Sequence, residues 1–355
     1  MMTSKERLVN TFKGLPRDRT PILGGWLACP EHVRRLAGVN EETYWQDPLQ
    51  AGLAAERKLG SDGLIGIYTP RTREDFRIVD KNSYSRADSG LDLDDVLASI
   101  ESADEPEKML ADFEEESEYA QFKASLIQHQ KLTGDILWMP AQWSAGAKVT
   151  WYGDFGYENF FLIVGGYPAH AQKLMTIGGM QGHLRSRLIA RAVREGIYPP
   201  AVLFGEDICT QRGPMISPAF LEKYYMPQLR FGLEPLLEAG CKPVWHCDGD
   251  VRPLLDMLIE CGIKGFQGFQ PECGMTLDMI IRRRTKDKEP LLIFGPVAVT
   301  TELPVLTARQ VKQRVIRAIE ACKDNADLVL FTSNTINPDV PFENLIAMYE
   351  AITGE

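Results

Sequence analysis

Short apolar, β-branched runs alternate with amphipathic helical patterns along most of the chain. The pattern predicts eight strands, at residues 21–25, 63–68, 136–141, 201–205, 243–246, 265–269, 291–294 and 327–331. Because strands that alternate with helices pair in parallel, the predicted class is α/β. Eight such units favour a closed (β/α)8 barrel, the TIM barrel, over an open doubly wound sheet.

Capping residues mark several helix boundaries in the sequence. Ser217 followed by Pro218 predicts a helix start, and Gly240 predicts its end. Thr307 likewise predicts a helix over residues 308–323. No GxGxxG motif follows the first strand and no P-loop occurs, so no nucleotide cofactor is expected.

The length of 355 residues allows two domains, or one barrel with insertions. We predict a single barrel over residues 1–355, with an insertion of about 75–130 between strands 2 and 3. Residues 75–95 resemble a hairpin excursion. Residues 101–118 carry nine acidic residues and one lysine, which predicts a solvated surface segment. A docking patch for a basic partner is the alternative.

Charge and cysteine content exclude several classes of protein. The chain has 39 Lys and Arg against 49 Asp and Glu, a formal net charge of −10. This balance argues against nucleic-acid and anionic membrane partners. Seven cysteines without a CxxC motif exclude a disulfide scaffold and predict reduced thiols. No leader and no long apolar run is recognised, so a cytoplasmic location is expected.

Polar and ionisable residues concentrate where the predicted strands end, which is where a TIM barrel forms its active site. His246 and Asp248 end strand 5 and point to one face, while Cys247 points to the other. This pair can hold a metal ion, act as an acid–base pair, or be a core histidine bonded to an aspartate. Glu206 and Asp207 end strand 4, and only one of them can face the barrel axis.

Other strand ends supply candidate substrate contacts. These are Trp26, Tyr68, Arg71, Arg73, Gln142, Trp143 and Gln270. The two arginines are candidate anion binders. The aromatic residues predict a pocket for a flat or apolar ligand, with residues 151–157 as a lid or wall. Asp62, at the start of strand 2, has a predicted structural role.

The sequence resembles the uroporphyrinogen decarboxylase superfamily. The matching segments are PRDRTP at 16–21, LGSDG at 59–63, GPMISP at 213–218, HCDG at 246–249 and PFENL at 341–345. The superfamily contains the decarboxylase and zinc-dependent methyltransferases that move methyl groups between corrinoid proteins and acceptors such as coenzyme M. The resemblance implies a (β/α)8 barrel.

Departures from the family pattern favour the methyltransferase-like branch. The Arg-rich motif with which the decarboxylase binds carboxylates is replaced here by GWLACP at 25–30. The methyltransferases bind zinc through His-x-Cys after strand 5 and a second Cys near strand 8. His246 matches the histidine, whereas Asp248 and Asn334 occupy the two cysteine positions. The replaced cysteines leave an oxygen-rich set, for which three outcomes are open: zinc, another divalent metal, or no metal.

Three functional hypotheses follow. The first is an enzyme that transfers methyl groups between a small methylated substrate or thiol and a corrinoid protein. Its catalytic residues would be His246, Asp248 and Glu206 or Asp207, with Asn334 completing the metal or acid–base centre. The second is a decarboxylase of a porphyrinogen or smaller acid. Arg71 or Arg73 would anchor its carboxylate, and an acid such as Asp62 or Asp207 would protonate the carbon. The third is a non-catalytic ligand-binding barrel. The oligomeric state, a dimer included, stays open.

Overall fold

A computed structural model describes residues 2–80 and 90–354, where strands alternate with helices. The strands are β1 Leu23–Gly24, β2 Gly63–Leu64, β3 Leu137–Trp138, β4 Ala201–Gly205, β5 Cys209–Thr210, β6 Gly213–Pro214, β7 Lys242–His246, β8 Gly265–Gln267, β9 Leu291–Val297 and β10 Ala326–Thr332. Strands β5 and β6 form an antiparallel hairpin, and every other pairing is parallel. The predicted α/β class is confirmed.

Within the described residues the parallel strands form two sheets, ordered β1-β2-β3 and β10-β9-β8-β7-β4. A parallel bridge between Ile22 and Leu330 links the sheets on one side. On the other side the N–H of Gln142 donates to the carbonyl of Leu203 at 2.8 Å. No ladder joins β3 to β4 in this part of the chain, so closure into a barrel stays a prediction.

The first three parallel strands are shorter than predicted, with two residues each. Gly25 has a φ of 104°, so the chain leaves the strand direction directly after β1. The N–H of Tyr68 returns to the carbonyl of Gly25 at 2.7 Å instead of extending β2. Pro140 has no N–H with which to extend β3. Strand β4 has the predicted bounds.

Helices fill the connections. They are α1 Ser4–Phe12, α2 Pro30–Ala37, α3 Glu41–Gln46, α4 Pro48–Lys58, α5 Arg73–Asp80, α6 Leu93–Ser102, α7 Pro106–Ala111, α8 Glu115–Thr133, α9 Tyr152–Phe155, α10 Tyr157–Gly166, α11 Pro168–Arg194, α12 Pro218–Phe220, α13 Met226–Glu238, α14 Leu255–Cys261, α15 Leu277–Ile280, α16 Ala308–Cys322 and α17 Phe342–Thr353. A π-helical turn, Leu221–Tyr225, joins α12 to α13, and 3-10 turns span Arg252–Leu254 and Pro271–Cys273. Ser217 and Thr307 cap their helices as predicted.

The described part of the segment between β2 and β3 contains four helices, α5 to α8. Helices α5 and α6 occupy the ends of the predicted hairpin, while residues 81–89 lie outside the described ranges. The acidic stretch that follows packs its charges against basic residues of α11. Lys173 pairs with Glu105, and Arg191 pairs with Glu116 at 2.6 Å. Part of the acidic charge is therefore neutralised within the chain.

The strand bodies form the core, around fully buried side chains such as Trp245, Phe204 and Phe294. Asp62 is fully buried and binds two arginines, with Arg19 Nη1 2.8 Å from its Oδ2. This agrees with its predicted structural role. All seven cysteines are free and buried. None of the helices in the described ranges combines the length and apolarity needed to cross a lipid bilayer.

Candidate active site

His246 ends β7 and is held by a neighbour on β8. It is 7% exposed, and Gln267 is its partner in the strand register. The Nε2 of Gln267 donates to the carbonyls of Thr332 at 2.7 Å and Ser333 at 2.9 Å. Since the amide nitrogen is committed to these carbonyls, its Oε1 accepts the proton of His246 Nδ1. Neutral His246 therefore keeps the lone pair of Nε2 free.

Two carboxylates converge on this free nitrogen. Oδ1 of Asp207 lies 3.6 Å from Nε2 of His246. Ligand atoms of Asp207, His246 and Asp248 all lie within 4.8 Å of one another. The Asp248 Oδ1 atom is buried without a hydrogen-bond partner in the described structure, and burial raises the pKa of this carboxyl. The cluster is an oxygen- and nitrogen-rich centre suited to a cation.

Asn334 holds Asp248 in place. Its Nδ2 donates to Oδ2 of Asp248 at 2.6 Å, and its Oδ1 accepts the N–H of Thr335 at 2.7 Å. Both ends of the amide are therefore occupied. The sequence predicted Asn334 as a metal ligand; the structure places it beside the ligand set, as a partner that orients a carboxylate.

Only one of the two acids at the end of β4 joins the centre, as the sequence predicted. Asp207 faces His246, whereas Glu206 accepts hydrogen bonds from the N–H and hydroxyl of Thr150. Burial raises the pKa of Glu206 to about 7. Tyr152, in the predicted lid segment, donates to the carbonyl of Asp207 at 3.0 Å. Glu206 thus braces the loop after β3 and is not one of the converging ligands.

A cavity of about 230 Å³ adjoins the centre. It is lined by Trp26, Tyr68, Trp143, Gly205, Asp207, His246, Asn334 and Thr335. Three of the predicted substrate contacts, the two tryptophans and the tyrosine, line it. The ring of Trp26 lies 5.8 Å from Tyr68, 6.4 Å from Trp143 and 5.9 Å from His246, measured between centroids. The cavity has room for a small molecule.

Two glycines permit the close backbone approach behind this cavity. A Cβ on Gly25 would lie 2.0 Å from the carbonyl oxygen of Gly66, and Gly25 also has positive φ. A Cβ on Gly205 would lie 2.0 Å from the carbonyl oxygen of His246. Both positions thus require glycine to bring the strand ends together.

Two predicted glutamine contacts lie outside the cavity lining. Oε1 of Gln142 accepts from Arg185 Nη2 at 2.6 Å. Oε1 of Gln270 accepts the N–H of Gly249 at 2.5 Å and so braces the turn after β7. Each amide oxygen already serves a structural partner, so their role as substrate contacts stays a prediction.

The two predicted arginine anchors also lie outside the cavity lining. Arg73 Nη1 is 2.6 Å from Glu41 Oε1, and its guanidinium lies over the ring of Trp45. The backbone N–H of Arg71 donates to the carboxylate of Asp75 at 3.2 Å. Because β2 ends four residues earlier than predicted, the segment after it places both arginines outside the cavity lining.

Gln267 is the functional residue that sequence reasoning missed. Its signal was a polar side chain inside the apolar run 265–269. Its role became visible only from the β7–β8 register, which sets it opposite His246.

No protein-family model matches the chain, and no curated protein sequence matches it. Among solved structures, a methyltransferase from Methanosarcina mazei is similar, with a TM-score of 0.63 at 16% sequence identity. The match covers 99% of this chain and 98% of the other. The two proteins therefore share a fold over nearly their whole length, while membership of the superfamily stays a prediction.

Proposed function

We propose that this protein is a methyl-transfer enzyme whose active site is the cavity beside Asp207, His246 and Asp248. The observation that carries the proposal is the convergence of the free Nε2 lone pair with two carboxylates at the floor of an aromatic cavity. The shared fold with a protein named as a methyltransferase adds support. In this proposal the methyl group passes between a small molecule and a corrinoid protein.

The side chains fit a divalent metal. One imidazole nitrogen and two carboxylate oxygens form a three-ligand set of the kind that leaves a coordination position open. The partnerless Oδ1 of Asp248 is an acceptor that a cation would satisfy. A metal held there would supply Lewis-acid polarisation of the heteroatom that carries or accepts the methyl group.

The chain's own residues bind and orient the small molecule. Trp26 and Trp143 line the cavity and offer apolar contact area. Asp207 lines the same cavity, so it contacts both the bound molecule and the centre. Gln267 fixes the tautomer of His246, and Asn334 fixes the carboxylate of Asp248.

The decarboxylase alternative has little support in this geometry. It requires a cationic anchor for the substrate carboxylate, and neither Arg71 nor Arg73 lines the cavity. Asp62, its candidate proton donor, is occupied by Arg7 and Arg19. The non-catalytic alternative would be excluded by any measured methyl transfer.

The test is a methyl-transfer assay with methylcobalamin and a panel of thiols. We expect demethylation of the corrinoid by the wild-type chain with zinc, and a loss of at least about 100-fold in Asp248→Ala. The matched control is Asp256→Ala, since Asp256 is 85% exposed and lies far from the cavity lining. No turnover with any thiol, or equal turnover in both variants, contradicts the proposal.

A further inference from the structure

The cavity walls are rings set at different angles. Trp26 is perpendicular to two of its neighbours, with interplanar angles of 72° to Tyr68 and 81° to His246. Trp143 is inclined at 67° to His246. At centroid distances of 5.7–5.9 Å these rings touch edge to face and form one aromatic wall along the cavity, here called the aromatic cage after the sites that bind quaternary ammonium groups.

A flat ligand does not fit between the two tryptophans. The ring centroids of Trp26 and Trp143 are 6.4 Å apart at an interplanar angle of 24°. A planar group inserted between two rings needs about 7 Å, because each stacked contact takes about 3.5 Å. An aromatic ring is therefore excluded from the space between these two tryptophans.

The charge of the cavity selects a cation. Asp207 lines it, and no lysine or arginine stands among the described residues of its lining. Asp248 lies directly behind, with its unpartnered oxygen in the same cluster. A positive ligand gains attraction from the ring faces in either state of the centre, and from the carboxylates when no metal neutralises them.

The geometry points to an alkylated ammonium cation as the small-molecule ligand of this cavity, held by Trp26, Tyr68 and Trp143 with Asp207 as counter-charge. The binding of this cation is inferred independently of the proposed function. Only its role as the methyl donor rests on that function. In that step the carbon–nitrogen bond breaks and nitrogen keeps the electron pair as a neutral amine. The attacking nucleophile, a thiolate or a reduced corrinoid cobalt, supplies the pair for the new bond to carbon.

An ammonium donor suits a site with few proton donors, because its leaving group is a neutral amine. An oxygen leaving group needs a proton or a metal to stabilise its developing negative charge. An ammonium nitrogen needs neither, because it becomes neutral as the methyl group departs.

The binding test compares choline with 3,3-dimethylbutan-1-ol, which has nearly the same shape and no charge. Isothermal titration of the isolated protein measures both dissociation constants, with tetramethylammonium as a further probe. We expect choline to bind at least about tenfold more tightly than the neutral alcohol. Equal affinities, or tighter binding of the alcohol, overturn the inference.

Variants assign the binding to the rings. Trp143 is 40% exposed, so its replacement is compatible with folding. Trp143→Leu is expected to lose the preference for choline, whereas Trp143→Phe retains most of it because a ring face remains. Trp138→Leu is the control, since Trp138 stacks on His129 and does not line the cavity. Undiminished preference in Trp143→Leu overturns the assignment.

The two proposals fail separately. Selective choline binding without methyl transfer to any thiol or corrinoid contradicts the proposed function and leaves the cage intact. Methyl transfer from methylcobalamin without selectivity for choline contradicts the cage and leaves the proposed function intact.

Discussion

Nε2 of His246 lies 3.6 Å from Oδ1 of Asp207, while the imidazole proton of the neutral ring sits on Nδ1 and faces Gln267. Oδ1 of Asp207 accepts the N–H of Asp248 at 3.3 Å, and a positive charge between this oxygen and the lone pair of Nε2 would stabilise both. The buried Oδ1 of Asp248, which has no hydrogen-bond partner in the described structure, would also be stabilised by a positive charge. The end of β7 therefore suits a bound cation, and the amide of Gln267 orients the imidazole.

Removing that amide is expected to weaken metal binding. Gln267→Leu leaves Nδ1 of His246 without an acceptor, so the ring can change tautomer and turn. We expect metal affinity to fall about 10- to 100-fold, the usual effect of losing an outer-sphere partner of a histidine ligand. Competition with a chromophoric chelator measures the affinity.

Gln142→Leu is the matched control for this variant. Gln142 is also a buried glutamine, but its oxygen bonds Arg185 instead of His246. Its replacement is expected to leave metal affinity within about twofold of wild type. Equal losses in the two variants would show that Gln267 acts on overall stability alone.

Much of the fold could be predicted because apolar runs and caps are local signals. Strand β4 and the capped start of α16 follow the sequence closely. The centre was also partly predictable, since the alternation of His246 and Asp248 places both on one face. The role of Gln267 depends on register between strands distant in sequence, which periodicity does not encode.

The misplaced arginines have a different cause. Whether Arg71 and Arg73 reach the cavity depends on where β2 ends, and strand ends are set by backbone contacts between distant loops. The carbonyl of Gly25 captures the N–H of Tyr68 and turns the chain early. Arg73→Ala is therefore expected to leave methyl transfer and choline binding unchanged. A large loss of methyl transfer or of choline binding would indicate that Arg73 takes part in the site.

Asp62 is expected to stabilise the fold and not to act in catalysis. It is fully buried and shared by Arg7 and Arg19. Asp62→Asn removes the charge from between two arginines, so we expect a loss of about 3–5 kcal/mol in the free energy of unfolding. Urea denaturation measures this loss.

An exposed ion pair provides the comparison. Asp256→Asn breaks a pair with Arg283 at the surface and is expected to cost about 0–1 kcal/mol. Folded Asp62→Asn protein should bind metal as wild type does. A loss of methyl transfer in Asp62→Asn protein of unchanged stability would instead place Asp62 in catalysis.

Gly25 is expected to tolerate no side chain. Gly25→Ala forces a Cβ to within 2.0 Å of the Gly66 carbonyl and keeps φ positive. We expect a loss of at least about 1–3 kcal/mol in unfolding free energy, together with weaker choline binding because Trp26 moves. Gly153→Ala is the control, because a Cβ there meets no atom within 4 Å.

The central claim is that Asp207, His246 and Asp248 hold a cation. Its most direct test is the metal content of purified protein after incubation with zinc and gel filtration, measured by inductively coupled plasma mass spectrometry. The account predicts about one tightly held ion per chain in the wild type and in His129→Ala, a histidine outside the cluster. It predicts almost none in His246→Ala. Equal metal content in both histidine variants, or none in the wild type, would contradict it.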